Sequence, residues 1–185
     1  QTGASNTSDQ YQRGDGNDVA IQQAGTENLS VQDQEGIANT ASADQDGNGN
    51  EVAQIQIGES NLSLSSQTGD GNYGEQAQEG VINLAESTVE GSFNTSLQAQ
   101  FGEDNWGFVT HAGNGNYSEQ AQDFFLNTTE VITVGDGNTS IQWQLGAVNS
   151  GYLEQTGNGN SAWQHSEGFF NTAVAIQRGN ANEVN

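Results

Sequence analysis

The chain has 185 residues, 31% of them apolar, a mean hydropathy of −0.71 and a formal net charge of −22. Arg13 and Arg178 are its only Lys or Arg residues, and it contains no cysteine, proline or methionine. This composition excludes phosphate-backbone binding by charge neutralisation, a disulfide framework and thiol chemistry, and no stretch is apolar over a membrane-spanning length. We therefore expect no nucleic-acid partner and no membrane insertion.

Low hydropathy with a large net charge would by itself predict disorder. Periodicity overrides it. From the N-terminus, a short tail at 1–5 leads into asparagines at Asn6, Asn17, Asn28, Asn39, Asn50, Asn61, Asn72, Asn83, Asn94, Asn105, Asn116, Asn127, Asn138, Asn149, Asn160, Asn171 and Asn182, every eleventh residue without a miss. Three residues before each stands a glycine: Gly3, Gly14, Gly25, Gly36, Gly47, Gly58, Gly69, Gly80, Gly91, Gly102, Gly113, Gly135, Gly146, Gly157, Gly168 and Gly179, with Phe124 the one exception. Six residues after the asparagine a glutamine recurs, at Gln12, Gln23, Gln34, Gln45, Gln56, Gln67, Gln78, Gln100, Gln122, Gln144, Gln155 and Gln177.

Counting each asparagine as offset 0, offsets 0 to 6 suit a strand and the four residues around the glycine suit a turn. Offsets 0, 2, 4 and 6 share one face of such a strand. Glycine supplies a positive φ, and asparagine, which tolerates the left-handed region, is expected to close the turn. Offset 2 is small or β-branched (Val19, Ser30, Ala41, Gly74, Ala173), as two closely facing sheets require. Offset 4 alternates. One class has Gln10, Gln32, Gln54, Gln76, Gln98, Gln120, Gln142 and Gln164; the other has Ile21, Ala43, Ser65, Ser87, Val109, Val131, Leu153 and Ala175. The unit is therefore 22 residues, strand–turn–strand–turn, with eight units over 6–181 and tails at 1–5 and 182–185.

These periods predict an all-β fold in a single domain, 1–185: a two-sheet, cross-β solenoid of stacked coils, rising roughly 4.8 Å per coil, with amide ladders at offsets 0, 4 and 6. On the outer face, offset 7 of one class runs Glu35, Ile57, Glu79, Phe101, Asp123, Leu145, Glu167, which keeps like charges two coils apart. Gln is replaced at Val89, His111, Thr133 and Ser166, and three of these share one strand class, so that sheet is expected to be less regular. Phe124 in a glycine position predicts a different local turn. A 44-residue echo relates 79–83, 123–127 and 167–171, consistent with two-coil duplication.

The repeat resembles the curlin repeat of the major curli subunit, Ser-x5-Gln-x-Gly-x2-Asn-x-Ala-x3-Gln. Residues 39–50 match its first half, with Asn39 for the opening Ser, and 72–78 match its second, with Gly74 for Ala. The resemblance covers essentially the whole chain, which departs by having eight double repeats and more acid. It implies a secreted structural subunit of an extracellular amyloid fibre on a bacterial surface, a nucleating subunit, an outer-membrane secretion pore, and a role in biofilm matrix and adhesion. On that reading Gln1 follows a removed leader. Neither solenoid end resembles a cap, so Gln1, Asn6, Gln10 and Gln12 at one end, and Asn171, Gln177 and Asn182 at the other, are the expected polymerisation edges.

Other features carry less. Gly-Asp-Gly-Asn at 14–17, 69–72 and 135–138 admits a calcium reading, but the nonapeptide spacing of calcium β-rolls is absent and a plain turn is preferred. His111 and His165 lack partner ligands, and no Ser/His/Asp set repeats, so neither an enzyme, a metal site nor a cofactor is expected. Outward Trp106, Phe108, Trp143, Tyr152 and Trp163 suit column packing, bundling or glycan contact. The rival reading is a monomeric solenoid that binds ice or glycans; the interrupted threonines at offset 1 argue against ice.

Overall fold

The computed structural model describes residues 1–185 and consists of strands and turns only. One sheet holds β1 (Thr2–Ala4), β3 (Asp18–Thr26), β5 (Thr40–Asn48), β7 (Leu62–Thr68), β9 (Leu84–Glu90), β11 (Trp106–Ala112), β13 (Thr128–Val134), β15 (Ser150–Thr156) and β17 (Thr172–Arg178), in that order. The other holds β2 (Thr7–Asp15), β4 (Leu29–Ile37), β6 (Glu51–Glu59), β8 (Tyr73–Val81), β10 (Thr95–Glu103), β12 (Tyr117–Phe125), β14 (Thr139–Ala147), β16 (Ser161–Phe169) and β18 (Glu183–Val184). Every pairing joins parallel strands 22 residues apart in sequence, as Gln54↔Gln76 and Gln76↔Gln98 illustrate. The protein is thus an all-β, two-sheet solenoid of about eight coils. The two tails also join it, Thr2–Ala4 on β3 and Glu183–Val184 on β16.

Alternation sets the faces. In β8 the residues Gly74, Gln76 and Gln78 are buried, while Tyr73, Glu75 and Ala77 are half-buried and face outward. The apolar core is small: Val109, Val131, Leu153, Ala162 and Ala175 form its one cluster. Around it the interior is made of amides. Offset 2 must be small because the opposite sheet's amides lie close. A Cβ on Gly107 would fall 3.1 Å from Gln120 Oε1, and one on Gly151 would fall 3.1 Å from Gln144 Nε2.

The turns differ from expectation in three ways. Strands do not stop at the ladder glutamine: those of the second sheet from β2 to β16 run nine residues, through the glycine, and only β7 onward in the first sheet stop at seven. Asparagine is not the left-handed residue. The residue before it is, at every repeat, with φ from 53° to 68°, and this includes Ile82 (57°) and Val148 (59°). β-branched residues rarely adopt that region. They are tolerated here because the hydrogen bonds of the following asparagine hold the turn. The turn at Phe124 is retained rather than replaced: Phe124 takes φ 81°, and its carbonyl accepts Asn105 Nδ2 at 2.9 Å as a glycine carbonyl does elsewhere. Its bulk is felt in the next pairing, where β12 follows β14 only as far as Asp123↔Leu145.

Irregularity expected in the first sheet is also absent from its backbone. Gln67, Val89, His111, Thr133 and Gln155 lie in one unbroken column of paired residues. What breaks is the side-chain ladder.

Candidate functional site

The stacking surface of each coil is the feature that repeats most strictly, and three kinds of residue build it. The first is the glutamine pair of the second sheet. Gln32, Gln54, Gln76, Gln98, Gln120 and Gln142 each donate Nε2 to the Oε1 of the next coil's glutamine, at 2.7 to 3.2 Å. Gln34, Gln56, Gln78 and Gln100 do the same, and Gln122 reaches Gln144 at 3.5 Å. Apart from Gln142, the second hydrogen of each amide crosses the interior to a carbonyl of the facing sheet, as Gln54 does to Ser42 O and Gln56 to Thr40 O. A ladder amide therefore pins its own sheet vertically and the two sheets to each other. In the first sheet Gln23 bonds Gln45, and Gln155 bonds Gln177.

Asparagine ladders run the other way. Asn72 donates its backbone N–H and its Nδ2 back to Asn50 Oδ1, and Asn94 does so to Asn72, Asn116 to Asn94, and Asn138 to Asn116. Asn28 and Asn50 use the backbone N–H for this, toward Asn6 and Asn28. Asn17 accepts the N–H of Asn39 and donates to Gly36 O. From Asn6 to Asn160 each Nδ2 also clamps the turn carbonyl of the coil beyond, a glycine's except at Phe124, as Asn50 does Gly69 at 2.7 Å.

That glycine is the third component. From Gly3 to Gly157 the turn glycines have φ between 107° and 136°, and an added Cβ would lie 1.8–2.1 Å from the carbonyl oxygen of the residue one coil on. No side chain fits between turns at that separation. Gly168 and Gly179 have φ of 104° and 103° but no such neighbour above them.

The residues expected at the edges lie on the first and last rungs. Gln10 and Gln12 donate to Gln32 and Gln34, while Gln1 bonds Ser8 Oγ and leaves the buried Gln23 Oε1 without a donor. Asn6 accepts from Asn28. At the other end Gln177 donates only to Ser161 O, and Asn171 and Asn182 donate to Asn149 and Asn160.

The ladder is interrupted between Gln67 and Gln155. His111 is fully buried there, bonded through Nε2 to Ser118 Oγ, and burial pushes its pKa down to about 4. Its Nδ1 and the hydroxyls of Thr129 and Thr133 have no partner. The neutral imidazole fills the volume of an amide without its two-sided bonding.

Sequence reasoning missed a second ladder, in the turns. Asp70 Oδ1 accepts the N–H and Nδ2 of Asn48, and Asp136 Oδ1 accepts those of Asn114. The aspartates that invited a calcium reading at 70 and 136 thus bond neighbouring turns, and no group of three or more His, Cys, Asp or Glu side chains could hold a metal ion. Outside, Trp143 and Trp163 meet edge to face at 6.2 Å, and His165 lies parallel to Trp163 at 6.4 Å.

A scan against protein-family models gives no match, and no curated protein matches the chain significantly.

Proposed function

We propose that this chain is a structural subunit of an extracellular, curli-like amyloid fibre, polymerising by strand stacking along the solenoid axis in biofilm matrix and surface adhesion. The observation that carries the reading is the interchangeability of its coils. Every full rung of the second sheet from β2 to β14 offers glutamine donors toward higher residue numbers. Asparagine N–H donors point toward lower ones. A coil of one molecule therefore meets a coil of another with the same complementarity that it meets inside the chain, provided both point the same way. Such a contact is heterologous and repeats without closing.

The side chains are consistent with this. Stacked parallel strands bury their backbone groups only when each rung has a neighbour, and nothing along the ladder column introduces Pro, Lys or a bulge to stop propagation. Alternation of Glu79, Phe101, Asp123 and Leu145 in one outer column relieves the repulsion that in-register stacking of a highly acidic chain would otherwise produce. Secretion as an unfolded chain through an outer-membrane pore and nucleation by a related subunit belong to the same proposal and rest on the curlin resemblance.

Seeding tests it. Fragments of preformed assemblies should abolish the lag of fresh protein, monitored by sedimentation. Assemblies that form only after a lag unaffected by seeds, or not at all, would contradict templated end-on growth.

A further inference from the structure

Three Asn-Gly steps stand in one and the same local sequence, Gly-Asn-Gly-Asn, at 47–50, 113–116 and 157–160. All three fall in the turns that leave the first sheet, within the ladder that also holds Asp70 and Asp136. Asn48, Asn114 and Asn158 are exposed. The glycine after each has φ of 64° to 66°, and an added Cβ there meets nothing within 4 Å.

An asparagine before glycine is chemically labile. Glycine puts no side chain beside its backbone nitrogen, so that nitrogen can reach the asparagine's Cγ. Once its N–H has lost the proton to base, the nitrogen attacks Cγ, the Cγ–Nδ2 bond breaks, and ammonia leaves with a proton taken from water. Water then opens the cyclic imide on either side. One product is aspartate; the other is isoaspartate, whose main chain runs through Cβ and Cγ. The net change is water taken up and ammonia released.

The folded coil ties both reacting groups down. Gly49 N–H donates to Thr26 O at 2.9 Å, and Asn48 Oδ1 accepts Thr26 N–H at 3.1 Å and its hydroxyl at 2.6 Å. On the other side Asn48 Nδ2 donates to Asp70 Oδ1 at 2.9 Å. The side chain is thus held between two neighbouring coils, and ring closure needs it to leave both. Asn114 is held alike, by Ser92 N–H and Asp136 Oδ1, with Gly115 N–H on Ser92 O. Asn158 is held on one side only. Its Oδ1 accepts Asp136 N–H and Gly159 N–H donates to Asp136 O, but its Nδ2 donates to no neighbour.

We propose that these three asparagines are non-enzymatic deamidation sites gated by coil stacking: labile in the unfolded chain, shielded in the folded one, and least shielded at Asn158. Modification at Asn48 puts a carboxylate oxygen where Nδ2 now bonds Asp70 Oδ1, and at Asn114 it does the same against Asp136 Oδ1. Isoaspartate also adds a main-chain carbon and so breaks the coil register. A chain held unfolded therefore loses its ability to form coils as it ages, whereas closed coils preserve themselves. The inference concerns the single chain and does not depend on polymerisation.

The test incubates the full chain at mildly alkaline pH, with and without urea, and follows each site by peptide mapping with mass spectrometry. Far-UV circular dichroism establishes that the arm without urea is folded. Because the local sequence is shared, the three sites should react at equal rates in urea. Without urea, each bond that must open favours the closed turn by roughly fivefold. The rates at Asn48 and Asn114 should then fall at least about twentyfold, and the rate at Asn158 should fall less. Asn48→Asp and Asn114→Asp, which reproduce one product, should lower the urea midpoint at neutral pH more than Asn158→Asp does, and the gap should narrow as carboxylates protonate. Equal rates at Asn48 and Asn114 in both arms, a folded-chain rate at Asn158 below theirs, or midpoints unchanged by Asn48→Asp and Asn114→Asp would overturn the proposal.

Discussion

Asn72 donates two hydrogen bonds to one oxygen, Oδ1 of Asn50: its backbone N–H at 2.9 Å and its side-chain Nδ2 at 3.1 Å. Asn94 treats Asn72 in the same way, so each asparagine is at once cap and acceptor for its neighbours. Asn72→Ala removes the acceptor of the buried Asn94 N–H and the donor to Gly91 O. Leaving buried groups unpaired costs about 1–3 kcal/mol each, so a loss of roughly 2–5 kcal/mol is expected, read as a lower urea midpoint. A change below about 0.5 kcal/mol would show that the asparagine ladder contributes little.

Gln98 tests the other ladder. It accepts from Gln76 and donates to Gln120 Oε1 and Glu86 O. Gln98→Glu replaces that donor by a buried carboxylate facing two oxygens, and should destabilise the coils by about 3 kcal/mol or more at pH 7. Burial raises the carboxyl's pKa, and the protonated acid can donate again. The difference from the parent chain should therefore shrink as pH falls from about 6.5 toward about 4.3. A pH-independent deficit would mean that lost packing, not charge, is responsible.

His111 gives a pH dependence of its own. Burial lowers its pKa from the ordinary 6.5 to about 4. The unfolded chain then binds a proton that the folded chain does not, so stability falls as pH drops from about 6.5 toward about 4. The full effect is roughly 3 kcal/mol, complete below the folded value. His111→Gln removes a titrating group and restores an amide to the column. The difference in unfolding free energy between variant and parent should grow in that window and be flat above about pH 7.5.

Two glycines separate conformational cost from steric cost. Gly49 has φ 65°, and an added Cβ meets nothing within 4 Å. Gly49→Ala should cost about 1–2 kcal/mol, the price of the left-handed region alone. Gly58 has φ 126°, and its Cβ would lie 1.9 Å from Gly80 O. Gly58→Ala should force the coils apart and cost several-fold more. Equal thermal unfolding midpoints for the two variants would refute the close-stacking argument.

Periodicity made the fold legible because coil stacking repeats the same physical constraint at every eleventh residue. Inward offsets, parallel register and the glutamine ladder of the second sheet all follow from it. The turns were less legible. Asparagine's tolerance of positive φ suggested that it closed them, but its side chain is worth more as a clamp on the next glycine carbonyl, which hands the left-handed position to whatever precedes it. Ile82 and Val148 sit there against their intrinsic preference. Ladder polarity was equally hidden, since composition at a position does not say which way an amide points. His111 stands at a ladder position in the sequence, but its orphaned Nδ1 emerges only from the neighbours Thr133 and Ser118.

Electron cryomicroscopy of purified chain at neutral pH addresses the central claim most directly. The account predicts unbranched filaments in which subunits follow one another with the same polarity, the rungs of both sheets spaced about 4.8 Å along the filament axis across the junctions as within the chain. A stable, monodisperse solenoid that forms no such contact at any concentration would contradict it.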